Sequence, residues 1–407
     1  MSMQNYSVNK APRAVVAAGL GLIGLTSFAG AQELFGSFSD YSQASGYDLQ
    51  DNALNASDQL DMFKYGVRAG VTFDDNVFLS SSDEESDVIT NIDLILSLKN
   101  SDEATNSWVL TYIPSFKYYS EGTLSDGVDH NLNAGFSKVL PKTQIDLGVD
   151  YGAISGSNRY AAGQIDKTTY GADIAISHIL TGKTRADLDL NMRSDDYDGA
   201  LTGRDRYSAR LSWLYQWSGK INLGPYVGYE YTDVERFNDH KAVSYGLSFE
   251  YQALAKTSFN GHVGGETRSF DGSGQSDKTS ATFKFGARHQ YSGKTSFDAA
   301  IYRNVRPSYG ANNDSFTSTG VYIGTSYAAT ERLKLRSRFN FERDDYFGPT
   351  SNSGDDNDYF SFSLGGDYAM PCGVKLGADV TFREKNAENG ASDFSNTLFQ
   401  VDATYYF

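Results

Sequence analysis

Two short segments carry the Gly-Lys-Thr tail of a phosphate-binding loop, at residues 182–184 and 293–295. A phosphate-binding loop also needs a glycine five residues before the glycine of that tail, and a helix directly after it. Those earlier positions hold Ser177 and Arg288 instead, and both segments lie between predicted strands. We therefore interpret both segments as turns rather than as nucleotide sites.

The histidines and the single cysteine give no pattern for catalysis or metal binding. His262 and Glu266 would share one face of a strand, but one such pair among many strands is expected by chance. Cys372 alone excludes a disulfide scaffold and a cysteine-rich zinc site, and we expect it to be an unpaired thiol. We predict that the protein is not an enzyme and uses neither a cofactor nor a metal. The alternative is a site assembled from distant strands, which a sequence does not reveal.

Acidic residues cluster in two predicted loops and could bind Ca²⁺ or bridge to lipopolysaccharide through divalent ions. The first cluster is Asp83, Glu84, Glu85 and Asp87, and the second is Asp355, Asp356 and Asp358. Neither has the ligand spacing of a calcium loop. We prefer the simpler interpretation that these are solvated loops kept soluble by charge.

The composition combines high aromatic content with a polar, acidic chain. The 407 residues include 28 Tyr, 25 Phe and 40 Gly but only 7 Pro, and the net charge is −16. This charge argues against a nucleic-acid partner. The mean hydropathy of −0.45 excludes a helical membrane bundle, and the aromatic content is too high for a disordered chain.

The first 31 residues have the features of a secretory signal peptide. Lys10 and Arg13 precede an apolar run over 14–25, and the small residues 29–31 resemble a cleavage site. Removal of this leader leaves 33 basic and 51 acidic residues, a net charge of −18. We predict that residues 32–62 form a flexible periplasmic segment before the folded part.

From residue 63 to residue 407, polar and apolar residues alternate with the period of two that is typical of strands. In residues 144–153, for example, Asp146 and Asp150 fall on one face while Leu147 and Val149 fall on the other. Short turns containing lysine recur, with Lys142, Lys183, Lys220, Lys256 and Lys294 spaced 41, 37, 36 and 38 residues apart. This spacing corresponds to a repeated hairpin.

The alternation and the hairpin period predict an all-β fold, a transmembrane antiparallel up-and-down β-barrel of about 18 strands. Short periplasmic turns would alternate with long extracellular loops, for example 155–167, 195–205 and 347–357. Strands of ten to fourteen residues are long enough to cross a bilayer, which takes about nine to eleven. Pro114 and Pro225 fall inside predicted strands, and we expect bulges or rim positions there.

Within each strand, the face that carries the charged residues must point to the lumen, because Arg or Lys at the bilayer centre costs about 2–4 kcal/mol. The opposite face, which carries the aromatic residues, then points to lipid and its interfaces. The lumen or selectivity candidates are Arg68, Arg185, Arg193, Arg210, Arg288, Lys334, Arg336, Arg338, Asp187, Asp189, Glu250 and Asp402. They could brace the wall or set solute selectivity, and the sequence favours neither role. Tyr226, Tyr302 and Tyr322 could stack sugar rings.

The last strand ends in a terminal aromatic residue and places Phe399, Val401, Tyr405 and Phe407 on one face. This pattern resembles the signal that barrel assembly machinery recognises in outer-membrane proteins.

Residues 65–119 resemble the opening of the β-barrel porin 2 family. The resemblance rests on the Asp74-Asp75-Asn76 element after the first strand, and on WVLTYIPSFKYY at 108–119. It implies an outer-membrane channel with about this number of strands, associated with exopolysaccharide export. It implies no catalytic residues.

Two functions remain open. The first is a channel for hydrophilic solutes, with an exit for a secreted polysaccharide as its specific form. The second is a non-conducting structural or adhesive barrel with a plugged lumen. In either case we expect the outer membrane of a Gram-negative bacterium, with lipid, lipopolysaccharide, the assembly machinery and, for the export role, polysaccharide export proteins as partners.

We expect the row Lys334, Arg336 and Arg338 to favour anions in the lumen. Replacement of all three by Gln should lower the anion preference measured in single-channel recordings. Unchanged selectivity would show that the row only braces the wall.

Overall fold

The structure is a computed structural model of the full chain. It describes residues 62–100, 105–161, 163–198, 201–235, 239–271, 277–308, 315–347, 356–388 and 392–407. The predicted signal peptide and nearly all of the predicted flexible segment lie outside these residues. Among the residues described, no helix is long and apolar enough to span a membrane.

The described residues form eighteen strands, joined in chain order by connections at alternating ends of the sheet. They are β1 (Phe63–Asp74), β2 (Asp87–Lys99), β3 (Asn106–Tyr119), β4 (Gly127–Val139), β5 (Thr143–Asn158), β6 (Gly163–Thr181), β7 (Thr184–Asp198), β8 (Arg204–Ser218), β9 (Ile221–Val234), β10 (His240–Leu254), β11 (Thr257–Phe270), β12 (Lys278–Gln290), β13 (Thr295–Pro307), β14 (Ser315–Ala328), β15 (Leu333–Phe347), β16 (Asn357–Ala369), β17 (Val374–Ala387) and β18 (Phe394–Tyr406).

The sheet closes into a barrel because β1 pairs with both β2 and β18. Every strand is antiparallel to its neighbours along the chain, and the closing pair runs in register from Gly66–Tyr406 to Asp74–Leu398. The predicted all-β antiparallel barrel of eighteen strands is confirmed. We call the end that holds Phe63 and Phe407 the turn end, and the opposite end the loop end.

Two predicted loops are shorter than expected. β5 continues to Asn158 and β6 begins at Gly163, so most of the predicted loop at 155–167 is strand. Likewise β7 continues to Asp198 and β8 begins at Arg204, within the predicted loop at 195–205. The strands extend because their polar ends are not solvated. Lys167 and Asp195, for example, are buried against each other inside the barrel.

Side chains alternate between the two faces of the wall. In β8, Leu211 and Trp213 are 49% and 53% exposed, whereas the alternate residues Ser212 and Leu214 are 4% and 2% exposed. The same alternation puts large apolar residues outside and charged residues inside along the other strands. The predicted division of the composition between two faces therefore holds.

No bulge occurs at either proline, and the alternative, a position near the membrane rim, stays a prediction. β3 pairs with β2 on either side of Pro114 without a change of register, but two residue pairs of the ladder are missing there. β9 and β8 show the same gap at Pro225, again without a register shift. The missing proline N–H is thus accommodated by a local break in the ladder on one side. On the other side the ladder is continuous, since β4 pairs with β3 at Pro114 and β10 pairs with β9 at Pro225.

The Asp74-Asp75-Asn76 element fastens the first strand to the last at the loop end. The Thr397 amide donates to Asp75, and the Asn396 side chain donates to Asp74 and Asp75. The Asn76 side chain donates to the carbonyl oxygens of Ser80 and Ser395 at 2.8 and 2.9 Å. The element is therefore explained by closure of the barrel.

Gly224, beside Pro225, lies against the backbone of β8. A Cβ atom at Gly224 would lie 1.7 Å from the carbonyl oxygen of Trp213, which is a backbone atom. We expect Gly224→Ala to destabilise the barrel by about 1–3 kcal/mol through overpacking, read as a lower urea midpoint of the protein refolded in lipid vesicles. Gly219→Ala is the control, since a Cβ there meets nothing within 4 Å. Equal midpoints for the two variants would show that the wall tolerates the extra atom.

Candidate functional site

The charged residues of the barrel interior are joined across strands. Arg185 on β7 donates to Asp187 on its own strand and to Glu250 on β10, at 2.8 and 2.6 Å. β10 is three strands away, so the Arg185 side chain crosses the inner surface of two intervening strands. Asn222 on β9 donates to the other oxygen of Glu250 at 2.8 Å. This part of the wall is braced by an ion-pair network.

The predicted basic row on β15 has two different parts. Arg336 lies between two carboxylates, pairing with Asp367 on β16 and with Asp379 on β17, the latter at 2.6 Å. Its charge is therefore compensated within the wall. Lys334 is exposed and lies on the same inward face of β15. Arg338 lies on that face too, two residues after Arg336. If the row sets selectivity, Lys334 is its exposed member and the one that a solute would meet.

The other predicted lumen residues also lie on the inward parity, in separate places. Arg68 forms a buried ion pair with Asp93 on β2, and Arg193 contacts Asp195 at 3.4 Å. Arg288 faces Asp298 across the β12–β13 pair, and Asp402 lies over Gly377 on β17. Arg210 and Asp189 are opposite one another on β8 and β7. The structure does not gather the predicted residues into one site.

Arg159, which the sequence did not single out, crosses the barrel at the loop end. It lies in the connection between β5 and β6, and its guanidinium forms a buried ion pair with Glu342 on β15. β15 is nine strands from β6, on the opposite side of an eighteen-strand barrel. The guanidinium also lies 4.3 Å from the ring centre of Tyr359 on β16.

The opposite wall holds Arg159 through a shared network. Tyr302 donates to the second carboxylate oxygen of Glu342 at 2.6 Å, and the Lys385 ammonium donates to the backbone carbonyl of Arg159 at 3.0 Å. Burial alone would lower the pKa of the Arg159 guanidinium, but Tyr160 and Glu342 raise this pKa well above its ordinary value. Arg159 is therefore a permanently charged crosslink.

Apolar and polar contacts extend this closure along the mouth. Phe316 on β14 is fully buried against Ile165, Tyr197 and Leu201 from the β6–β8 side. Arg204 on β8 donates to the carbonyl oxygen of Pro307 on β13 at 2.9 Å. A second cluster joins Leu79, in the connection after β1, to Tyr359 and Phe394. The described cross-barrel contacts thus concentrate at the loop end.

The suggested sugar-stacking tyrosines are not available in this structure. Tyr226, Tyr302 and Tyr322 all face inward, but each is 8% exposed or less. The rings lie close to glycines of the wall, as Tyr226 does to Gly246 and Gly264. They fill the space that the inward-facing glycines leave.

Asp355, in the second predicted acidic cluster, lies outside the described residues. Among the described residues, no group of three or more metal-ligating side chains could hold an ion. Asp87 was predicted to lie in the loop, but it is the first residue of β2. Its buried carboxylate accepts hydrogen bonds from Thr123 and the Glu121 amide, which joins the connection before β2 to the connection after β3. Cys372 is an exposed free cysteine.

The C-terminal residues proposed as an assembly signal lie on the outer face. Phe399, Val401, Tyr405 and Phe407 are all exposed. The Phe407 ring stacks on Tyr65 of β1 at 5.0 Å between ring centres. The same residues that would be recognised during assembly therefore line the outside of the closing seam.

No protein-family model and no curated protein matches the chain, so the resemblance to the β-barrel porin 2 family stays a prediction. Solved structures with a similar fold include the FrpB iron transporter from Neisseria meningitidis, at 10% identity and a TM-score of 0.45, covering 83% of this chain and 63% of that one. Pseudomonas aeruginosa OpdQ matches at 12% identity and a TM-score of 0.45, over 85% of this chain and 99% of that one. Pseudomonas aeruginosa OpdK with vanillate matches at 11% identity and a TM-score of 0.43, with the same coverage. These neighbours are outer-membrane β-barrels.

Loss of the Glu342 charge should release the connection that carries Arg159. Removing one partner of a buried ion pair costs about 3–5 kcal/mol, because the other charge stays buried. We expect Glu342→Gln to speed hydrogen exchange of the amides at 159–161 at least tenfold. Asp345→Asn, which disrupts the exposed pair with Arg343 on the same strand, is the matched control and should change nothing there. Equal exchange in both variants would show that the crosslink does not hold the connection.

Proposed function

We propose that the protein is an outer-membrane channel for hydrophilic solutes. The observation that carries this proposal is the closed barrel of eighteen strands with a charged inner face and an apolar outer face. A wall with this polarity is stable in lipid, and a barrel of this size has room for an aqueous lumen. The outer membrane of a Gram-negative bacterium is the location that fits such a barrel behind a signal peptide.

In this proposal the turn end faces the periplasm and the loop end faces outward. The two-residue connections 182–183, 219–220 and 255–256 all lie at the turn end, whereas the twelve residues 75–86 connect β1 to β2 at the loop end. Short periplasmic turns and longer outer loops are usual for such barrels. The Arg159 crosslink then spans the external mouth.

A polysaccharide exit is the more specific form of the proposal. The resemblance of residues 65–119 to a family associated with exopolysaccharide export supports it, as does the charged interior. Polysaccharide export proteins would then be partners at the turn end. Reduction of the single-channel conductance by an added oligosaccharide, but not by a monosaccharide, is the result expected for this role.

The cross-barrel contacts favour one alternative, a structural or adhesive barrel whose mouth is permanently closed. Arg159, Phe316 and Arg204 all join opposite sides of the wall. In that case the exposed loop end is the functional surface, and lipopolysaccharide or another cell surface is the partner.

Planar bilayer recordings separate the two functions. We expect the purified protein to conduct, and Arg159→Ala to increase the open probability or the unit conductance at least twofold, because the crosslink to Glu342 is lost. Arg343→Ala, a nearby exposed arginine, is the control and should behave as the unsubstituted protein does. Absence of conductance in all three proteins would contradict the channel and favour the closed barrel.

A further inference from the structure

A basic residue occupies the same place in six successive connections at the turn end, directly before the strand that follows. These residues, which we call the basic arc, are Lys142, Lys183, Lys220, Lys256, Lys294 and Arg332. In each case the backbone carbonyl oxygen accepts a hydrogen bond of 2.7 or 2.8 Å from an amide near the end of the strand two further along the chain, as Lys142 does from Ile179. Equivalent positions two strands apart are about 10 Å from each other, because neighbouring strands lie about 4.7–4.9 Å apart.

The side chains of the basic arc are not paired with carboxylates. All six residues are exposed, and within the part of the chain that the structure describes none of them forms an ion pair. The Lys220 ammonium donates to the carbonyl oxygen of Ala253 at 3.0 Å. Glu331 is the one acidic residue in these six connections. The basic arc therefore presents a row of positive charge along the rim from β4 to β15.

The rest of the rim lacks this pattern. The other two connections at the turn end, 100–105 and 370–373, contain no lysine or arginine, and the first of them contains Asp102 and Glu103. The positive charge is thus confined to one side of the rim.

Large apolar side chains accompany the lysines of the basic arc. Leu140, Leu180, Trp217, Leu254 and Tyr291 are all exposed, and each comes two or three residues before a lysine of the arc. Trp217 and Tyr291 are 75% and 70% exposed. Aromatic and aliphatic side chains next to lysine are typical of the level where hydrocarbon meets headgroups, since the apolar part enters the membrane and the ammonium stays at its surface.

The outer surface of the barrel becomes polar just before these connections. Lys138 is exposed on the outward face of β4. Thr143 and His178 lie on the outward faces of β5 and β6, with 2.8 Å between the hydroxyl oxygen and Nδ1. Thr257 and His289 form the same pair on β11 and β12, also at 2.8 Å. These groups indicate that the apolar band of the wall ends here and that the basic arc lies at headgroup level.

We propose that the basic arc binds the phosphate groups of anionic phospholipids in the leaflet at the turn end. Positive charges beside an anionic membrane surface attract it additively, so six unpaired cations favour anionic over zwitterionic headgroups. The exposed apolar neighbours favour a membrane over a soluble acidic protein as the partner. The inference rests on the proposed outer-membrane location, and it names the lipid class that the barrel selects on its periplasmic side.

The tryptophans of the protein report on lipid at this end of the barrel. The chain has only three, Trp108, Trp213 and Trp217, and all are exposed in the half of the wall nearer to the turn end. Lipids with brominated acyl chains quench tryptophan fluorescence on contact. Quenching of the refolded protein in vesicles that mix brominated and ordinary lipids therefore gives the binding constant of one lipid relative to another.

We expect phosphatidylglycerol to bind at least about threefold more strongly than phosphatidylcholine at low salt. Lys183→Gln with Lys220→Gln and Lys256→Gln, at the connection beside Trp217 and its two neighbours, should lower this preference at least about twofold. The preference should disappear at about 1 M NaCl, where charges are screened beyond about 3 Å.

The control variant is Lys241→Gln with Lys278→Gln and Arg343→Gln, which removes the same charge from exposed residues at the loop end. It should keep the preference of the unsubstituted protein. The slower gel migration of boiled protein checks folding. If the turn-end triple variant does not fold, Lys183→Gln with Lys256→Gln replaces it, because the Lys220 side chain also bonds to the backbone.

Three results would overturn the proposal. The first is equal quenching by the two lipids in the unsubstituted protein; binding of polyglutamate to that protein would then assign the basic arc to an acidic protein partner. The second is an equal loss of preference in the two triple variants. The third is loss of the preference on adding inorganic phosphate at constant ionic strength, which would show that the arc takes the free anion.

The lipid test and the conductance test fail separately. A barrel that conducts but does not distinguish the two lipids keeps the channel and loses the lipid site. A barrel that selects phosphatidylglycerol through the turn-end lysines but does not conduct keeps the lipid site and loses the channel.

Discussion

Pairing of the first strand with the last is the constraint on which the rest of this structure depends. An open sheet would leave two rows of backbone N–H and C=O groups unpaired, and each unpaired group costs several kcal/mol in hydrocarbon. The register from Gly66–Tyr406 to Asp74–Leu398 removes both edges. Because the number of strands is even, the pairing brings the two ends of the barrel segment to the same rim. The Asp74-Asp75-Asn76 element then secures the seam at the opposite rim through Asn396 and Thr397.

Closure fixes which face each side chain occupies, and this determines where the charges go. Charged residues confined to the inner face come close to one another, so Arg185 and Arg336 each reach a carboxylate beyond the adjacent strand. Arg159 carries the same chemistry across the whole barrel. The interior charges thus brace the wall and also form the surface that a solute would meet. A charge that is paired with a carboxylate serves the first role, and a charge that is not would serve the second.

The fold was largely predictable because period-two alternation is a local signal that repeats through the chain. The number of strands, eighteen, follows from it. The ladder gap at each proline was not predicted, because a gap on one side that the other neighbour compensates has no local signature. Inward-facing charges were predicted by the same parity, but their partners were not. The partner of Arg185 is 65 residues away and that of Arg159 is 183 residues away. Arg159 follows a strand end and looks like an ordinary loop residue, so only the closed barrel reveals its role.

The central claim is that the charged face of each strand points to water and the apolar face points to lipid. Reaction of single cysteines with a membrane-impermeant thiol reagent tests it most directly, in the barrel reconstituted in vesicles with Cys372 replaced by Ser. Cysteines at the inward positions 334 and 338 should react, whereas cysteines at the outward positions 335 and 339 should be protected by lipid. Equal reaction at all four positions, or faster reaction at 335 and 339, would contradict the account.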